Sequence, residues 1–244
     1  MKVVGIIPAR FESTRFPGKP LAKILNKPMI QWVYERVKKS NSLESLIVAT
    51  DSQQIYNQVK NFGGEVVLTS KDHQSGTSRV AEVVAQLDVE IVVNIQGDEP
   101  LISHKAIDAA VKHLITDPTI YMSTLKQKIT EESELSNPNV VKVVTNKDDF
   151  ALYFSRSLIP FIRPPYTSYI YKHIGLYVYR KDFLLKLVEL PLGNLEQVEK
   201  LEQLRVLENG YKIKVIKTCY SSIGVDTEED LKKVSKILMQ QDVV

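Results

Sequence analysis

The sequence predicts an α/β protein built on a doubly wound, mostly parallel sheet, and three observations carry that expectation. Apolar runs at residues 3–7, 45–50, 65–69 and 91–95 alternate with helix-period stretches at 30–38, 53–61, 78–87 and 106–115, which is βαβ repetition. The runs read as strands buried on both faces, as in parallel sheets. The first of them, Val3-Val4-Gly5-Ile6-Ile7, breaks into a loop over residues 8–21 that carries Arg10, Arg15 and Lys19. Such a loop leaves the sheet at the carboxyl edge, where open α/β sheets place ligands.

The loop is suited to a chain of phosphates. A guanidinium grips two oxygens at once and an ammonium acts as a mobile point charge, so the mixture matches charge spread over several groups. Ser13 and Thr14 add hydroxyl donors. Pro8, Pro17 and Pro20 stiffen the segment and Gly18 permits close backbone approach, more constraint than an idle surface loop needs. Neither a GxGxxG nor a Walker A loop is present, so side chains are expected to hold the phosphates.

The fourth strand runs into Gln96-Gly97-Asp98-Glu99-Pro100, which sets Asp98 just past a buried strand at the same edge. From residue 121 the pattern turns to strand-like alternation at 121–127, 140–144 and 169–179, with a proline-rich bend at 159–165. This predicts a smaller lobe of mixed or antiparallel strands over about residues 120–190 within a single domain. A long helix at 195–208, a strand at 211–217 and a helix at 228–239 return to the main body. Asp226, in Val225-Asp226-Thr227-Glu228-Glu229, is readable as a helix N-cap or as a ligand. Paired with Asp98 it suits Mg²⁺, which takes one or two carboxylates together with phosphate oxygens and water.

Composition bounds these readings. The chain has 244 residues, 43% hydrophobic and 25% charged, and no segment approaches the ~20 apolar residues of a membrane span. No signal peptide is read at the start of the sequence. A net charge of +3, with the basic residues scattered, argues against nucleic acid or a membrane as partner. A single cysteine, Cys219, excludes an internal disulfide, fits a reducing cytoplasm and reads as a small strand residue. Repeats and low-complexity tracts are absent.

The segments IPARFESTRFPGKPL, DHQSGTSR, NIQGDEP, NPNVVKVV, ALYFSR, LEQLRVL and GVDTEEDL, in this order, resemble the bacterial 3-deoxy-manno-octulosonate (Kdo) cytidylyltransferase family over residues 3 to about 238. The resemblance implies a nucleotide-diphospho-sugar-transferase fold and a homodimer. It also implies transfer of CMP from CTP to Kdo with Mg²⁺, for lipopolysaccharide synthesis in a Gram-negative cell. Arg10, Ser13 and Lys19 match the family's triphosphate loop, with Arg15 nearer the reaction centre or the sugar acid. Pro8, Ala9, Gln74, Ser75, Gly76, Arg79 and Gln96 match the surroundings of cytosine and ribose, although Ser75-Gly76-Thr77 also reads as a helix-start turn. Asp98 and Asp226 match the metal ligands.

For the acceptor, a carboxylate and many hydroxyls call for a bidentate cation and several hydrogen-bond partners. Arg156, His173, Tyr177, Glu199, Glu202 and Gln203 fill those roles, with Asn139 and Lys142 as secondary contributors. On one long helix, Glu199, Glu202 and Gln203 would share a face. Taken without the resemblance, His173 reads as a structural histidine and Glu199 as a solvated helix residue. The aromatic residues Phe161, Tyr166, Tyr169 and Tyr171 read as a dimer patch. Two rival functions stand beside this one: a nucleotidyltransferase for a hexose 1-phosphate or sialic acid, and a nucleotide-binding regulatory module without chemistry.

Overall fold

A computed structural model of the chain describes residues 1–12, 16–163, 169–220 and 223–241, so Ser13, Thr14, Arg15 and Tyr166 lie outside the described residues. Strand β1 (Val3–Ala9) leads to a 3-10 turn (Lys19–Leu21), the short hairpin β2 (Lys23–Ile24) and β3 (Lys27–Pro28), and helix α1 (Met29–Val37). Then follow β4 (Ser45–Thr50), α2 (Gln53–Asn61), β5 (Glu65–Leu68), α3 (Gly76–Ala85), β6 (Ile91–Asn94) and α4 (His104–Thr116). The middle of the chain forms β7 (Met122–Lys128), α5 (Glu132–Ser136), β8 (Lys142–Thr145), β9 (Ala151–Ser155) and β10 (Tyr171–Arg180). It closes with α6 (Lys181–Glu189), α7 (Asn194–Glu199), α8 (Gln203–Glu208), β11 (Lys214–Lys217) and α9 (Glu228–Gln241).

Nine strands make one sheet with the path β11-β7-β10-β6-β1-β4-β5, from which β8 and β9 branch beside β10. β1 runs parallel to both β4 and β6, while β10 is antiparallel to β6 and β7. The chain therefore steps outward from β1 to β4 and β5, then crosses to β6 on the other side. That reversal opens a crevice between the carboxyl ends of β1 and β6, the place where such sheets bind ligands.

Helices cover both faces because each carries an apolar stripe. In α1, Met29, Ile30, Val33, Tyr34 and Val37 are all buried, and the last four pack with α2 and α4 on one face of the sheet. On the other face, Val80, Ala81, Val83 and Val84 of α3 pack with residues of α6 and α8. A third cluster joins Ile24, Met29 and Leu101 to Val225, Val234 and Leu238, docking α9 beside the β2–β3 hairpin.

Two readings of the sequence are corrected. The helix expected over 195–208 is two short helices, because Lys200 takes a left-handed conformation (φ 53°) that ends α7. Tertiary contacts set this break: Arg205 Nε and Nη2 donate to the two carboxylate oxygens of Glu196 at 2.7 and 2.6 Å, folding α8 back on α7. Both side chains are nearly buried, so Glu196→Gln is expected to cost about 3 kcal/mol, read from urea unfolding, through the uncompensated guanidinium left behind. Of the strands expected in the smaller lobe, β7 and β10 lie on the path of the main sheet and β8 and β9 branch from it. Cys219 is exposed, past the end of β11 rather than within a strand.

Candidate functional site

The loop after β1 is closed by its own backbone. Gly18 N–H donates to the Phe11 carbonyl at 2.9 Å, and the φ of 69° at Gly18 is one that glycine adopts without a Cβ penalty. This turn delivers Lys19, whose Nζ donates to Asp98 Oδ2 at 2.5 Å and to Asp226 Oδ1 at 3.2 Å. Asp226 reaches Asp98 because the buried Val225 donates its N–H to the Asp98 carbonyl at 2.9 Å. Residues from three distant stretches thus meet at the β1–β6 crevice.

The ambiguity over Asp226 resolves at the next residue. Thr227 Oγ1 accepts from the Asp230 N–H at 3.2 Å, and the Asp230 carboxylate accepts from the Thr227 N–H and hydroxyl at 3.1 and 2.8 Å. Thr227 therefore caps α9, and the Asp226 side chain is left to the crevice.

The crevice opens into a cleft of about 820 Å³. Of the residues expected around the nucleotide, Pro8, Ala9, Arg10, Lys19, Ser75, Gly76, Arg79 and Gln96 line it, as do Asp98 and Asp226. Gln74 does not; its amide donates to the Asp72 carbonyl. Ser75 caps α3, accepting from the Ser78 N–H at 3.1 Å, so the turn expected at the helix start is present at the cleft wall. Arg79 is buried and preorganised: its guanidinium donates to Asp51 Oδ2 at 2.6 Å, to Thr69 Oγ1 and to the Ser70 carbonyl. Pro17 and Pro20, read from sequence as stiffening the loop, also line the cleft, as do Phe11, Glu12, Gly97 and His73, which were not singled out. For His73 the signal was its place in DHQSGTSR. Its Nε2 meets Glu82, and this hydrogen bond with that from the Ser70 N–H holds the Glu82 carboxyl below its usual range.

The residues expected at the acceptor divide into two groups. A bulge in β10 between Ile174 and Tyr177 sets Gly175 against Gln96 and re-aims the strand beside the cleft. Here Tyr177 donates its hydroxyl to Gln203 Oε1 at 3.1 Å, and Glu202 accepts from Ser75 and Thr77, so Glu202, Gln203 and Tyr177 adjoin the nucleotide cleft. His173 lies next to Tyr177, edge-on to Phe154, with Nε2 2.8 Å from Thr124 Oγ1. Arg156 and Glu199 form a separate clamp. The Arg156 guanidinium donates to the carbonyls of Glu199, Pro138 and Lys200, while the Glu199 carboxylate accepts from Ser155 Oγ and the Arg156 N–H. Because α7 ends at Glu199, Glu199 shares no helix face with Glu202 and Gln203, contrary to the spacing argument. Lys142 is fully buried and donates to the carbonyls of Asn137 and Val140, bracing the loop that holds Asn139; burial lowers its pKa.

Burial pushes the His173 pKa down from 6.5 to about 3, so the ring is neutral at ordinary pH. Between those values the unfolded chain binds the proton and the folded one does not. The stability His173 contributes is therefore complete above pH 6.5 and is lost as pH falls toward about 3. His173→Gln is expected to flatten the fall of melting temperature over that interval; an unchanged slope would remove this residue from the acid response.

Asp98 and Asp226 fit a divalent cation. Both carboxylates already face one positive centre, the Lys19 ammonium, and a hard cation of low coordination by protein needs no more than two such groups. Among the described residues no larger cluster of His, Cys, Asp and Glu converges anywhere. No helix among them is long and apolar enough to cross a membrane.

An open sheet whose switch point gathers cations and two convergent carboxylates around a nucleotide-sized cleft defines a nucleotidyltransferase. The comparisons agree. The chain belongs to the cytidylyltransferase family, whose model matches residues 4–213. It is 56% identical over 237 residues to the 3-deoxy-manno-octulosonate cytidylyltransferase of Solibacter usitatus, covering 97% of this chain and 94% of the relative. The protein of the same description from Fusobacterium nucleatum is 50% identical over 244 residues, covering 100% and 99%. A solved structure of CMP:2-keto-3-deoxy-manno-octonic acid synthetase complexed with CTP superimposes with a TM-score of 0.95 at 40% identity, over 99% of this chain and 100% of that one. The 4-diphosphocytidyl-2C-methyl-D-erythritol synthase of Anaerococcus prevotii shares the fold, with a TM-score of 0.66 at 16% identity over 98% and 96%.

Proposed function

We propose that the protein transfers CMP from CTP to the anomeric C2 hydroxyl of Kdo, releasing pyrophosphate. The observation that carries this reading is the meeting of Lys19, Asp98 and Asp226 at the mouth of the nucleotide cleft, beside the Tyr177–Gln203–Glu202 cluster. The Kdo hydroxyl oxygen bonds to the α-phosphorus as the bond to pyrophosphate breaks in line, and the hydroxyl proton is released. No covalent bond to the protein forms.

Arg10 and Lys19, with Ser13, hold the triphosphate and balance the charge that grows on departing pyrophosphate. The four-carbon stem of Lys19 lets its ammonium turn from the carboxylates to phosphate oxygens. Pro8, Ala9, Ser75, Gly76, Arg79 and Gln96 surround cytosine and ribose. Arg15, His173, Tyr177, Glu202 and Gln203 receive the sugar acid, with Arg156 and Glu199 fixing the segment before α8. Mg²⁺ on Asp98 and Asp226 supplies, when bound, neutralisation of the α-phosphoryl oxygens and a lowered pKa for the attacking hydroxyl. We assign the enzyme to the cytoplasm, to lipopolysaccharide synthesis and to a homodimer. The dimer is supported by the exposed apolar side chains Leu152, Phe161 and Tyr169 on and beside the β8–β10 extension.

Pyrophosphate release from CTP, with and without Kdo, tests the reaction. Turnover is expected only with both, with UTP and N-acetylneuraminate as poor substitutes. Equal turnover with either substitute would sink the assignment, and CTP binding without pyrophosphate release would favour the regulatory module.

A further inference from the structure

Beneath the crevice, the two halves of the site are joined by a side chain to which the proposed reaction gives no role. Thr77, the second residue of α3, is 3% exposed. Its hydroxyl donates to Glu202 Oε2 at 2.6 Å and accepts from Asn94 Nδ2 at 3.4 Å. Ser75, the α3 cap at the cleft wall, donates to the other oxygen, Glu202 Oε1, at 3.2 Å. The Glu202 carboxylate thus sits on the first turn of α3, where the partial positive charge of a helix start favours it. Two hydroxyls, one to each oxygen, also fix its orientation.

What Glu202 fixes is the start of α8. The next residue, Gln203, accepts from the Tyr177 hydroxyl, and two buried polar atoms beside this chain of bonds, Asn94 Oδ1 and Gln203 Nε2, have no hydrogen-bond partner among the described residues. An unpaired buried donor marks a position where a further acceptor would be held firmly, provided the amide stays aimed. A threonine suits the task, since its branched Cβ restricts the direction of the hydroxyl where a serine would turn more freely.

We propose that Thr77 is a positioning residue that couples the two substrate pockets: it locks Glu202, and so the acceptor-binding start of α8, to the same helical turn that the nucleotide contacts. The inference rests on the assignment of Glu202, Gln203 and Tyr177 to the sugar acid. Nucleotide that orders the first turn of α3 then tightens Kdo, and Kdo tightens the nucleotide by the same factor.

The test compares Thr77→Val, which keeps the shape and removes the hydroxyl, with Thr77→Ser, which keeps the hydroxyl. The Val variant is expected to raise KM for Kdo at saturating CTP about tenfold, the scale of one hydrogen bond to a charged group, and to raise KM for CTP at saturating Kdo by the same factor, while KM for CTP at limiting Kdo stays within about twofold. Its KM for Kdo should no longer depend on CTP concentration, and the Ser variant should recover both properties. If the Val variant does not fold, Thr77→Cys, with a weak donor, is measured in its place. KM values in the Val variant that still depend on the other substrate's concentration as in wild type, with or without a lower melting temperature, would overturn the proposal by making Thr77 merely structural. Wild-type protein that releases no pyrophosphate from CTP and Kdo would instead overturn the assigned reaction, a result that needs no variant.

Discussion

Replacing Asp98 or Asp226 by Asn is expected to lower pyrophosphate release about 10²-fold or more, the scale of losing one positioned electrostatic group, with little change in melting temperature. The asparagine keeps the shape and removes the ligand charge. Two of the structural bonds beside these residues are made by other groups: the Val225 N–H goes to the Asp98 main-chain carbonyl, and the α9 cap is Thr227. A wild-type rate in either variant at limiting Mg²⁺ would remove that aspartate from the metal. Had Asp226 been the cap, Asn would have been a near-perfect substitute.

Lys19→Ala is expected to have the second-largest effect, a fall of about 10²-fold in kcat/KM for CTP, because no neutral group can balance charge on the leaving pyrophosphate. A second readout separates this role from the first. Without the ammonium, the two carboxylates face one another unneutralised, so the variant should melt lower than wild type in chelator and gain more than wild type from added Mg²⁺. Equal stabilisation of both proteins by Mg²⁺ would show that Lys19 does not share a position with the cation.

How far the sequence could be read depended on whether the deciding contacts were local. The crevice was legible because an apolar run that stops at Pro8, and another that stops at Gln96, must leave the sheet at the same edge when both strands are parallel. The break at Lys200 was not. No glycine or proline interrupts residues 195–208, and the conformation is imposed by Arg205 on Glu196, nine residues back, and by Arg156, more than forty residues away, on the carbonyls of Glu199 and Lys200. For the same reason spacing placed Glu199 with Glu202 on one face, whereas the fold gives Glu199 to Ser155 and Arg156, and Glu202 to Ser75 and Thr77. The role of Asp226 hung on a side-chain competition for one N–H that spacing alone could not decide between it and Thr227. His173 was read from the residues alone as structural, and its enclosed, neutral ring has that character even where it adjoins Tyr177.

The bond from Val225 to Asp98 also orders events in time. Lys19 and Asp226 lie 207 positions apart, and Val225, next to Asp226, shares one cluster with Val234 and Leu238 of α9 and with Ile24 and Met29. During synthesis the strands around β1 can assemble while the ribosome is still reading later codons, yet that nascent domain holds one carboxylate, not two. On the proposed assignment of Asp226, catalytic competence arrives with the final helix, and a chain trimmed after residue 225 is expected to release no pyrophosphate from CTP and Kdo, which an assay of the truncated protein would check.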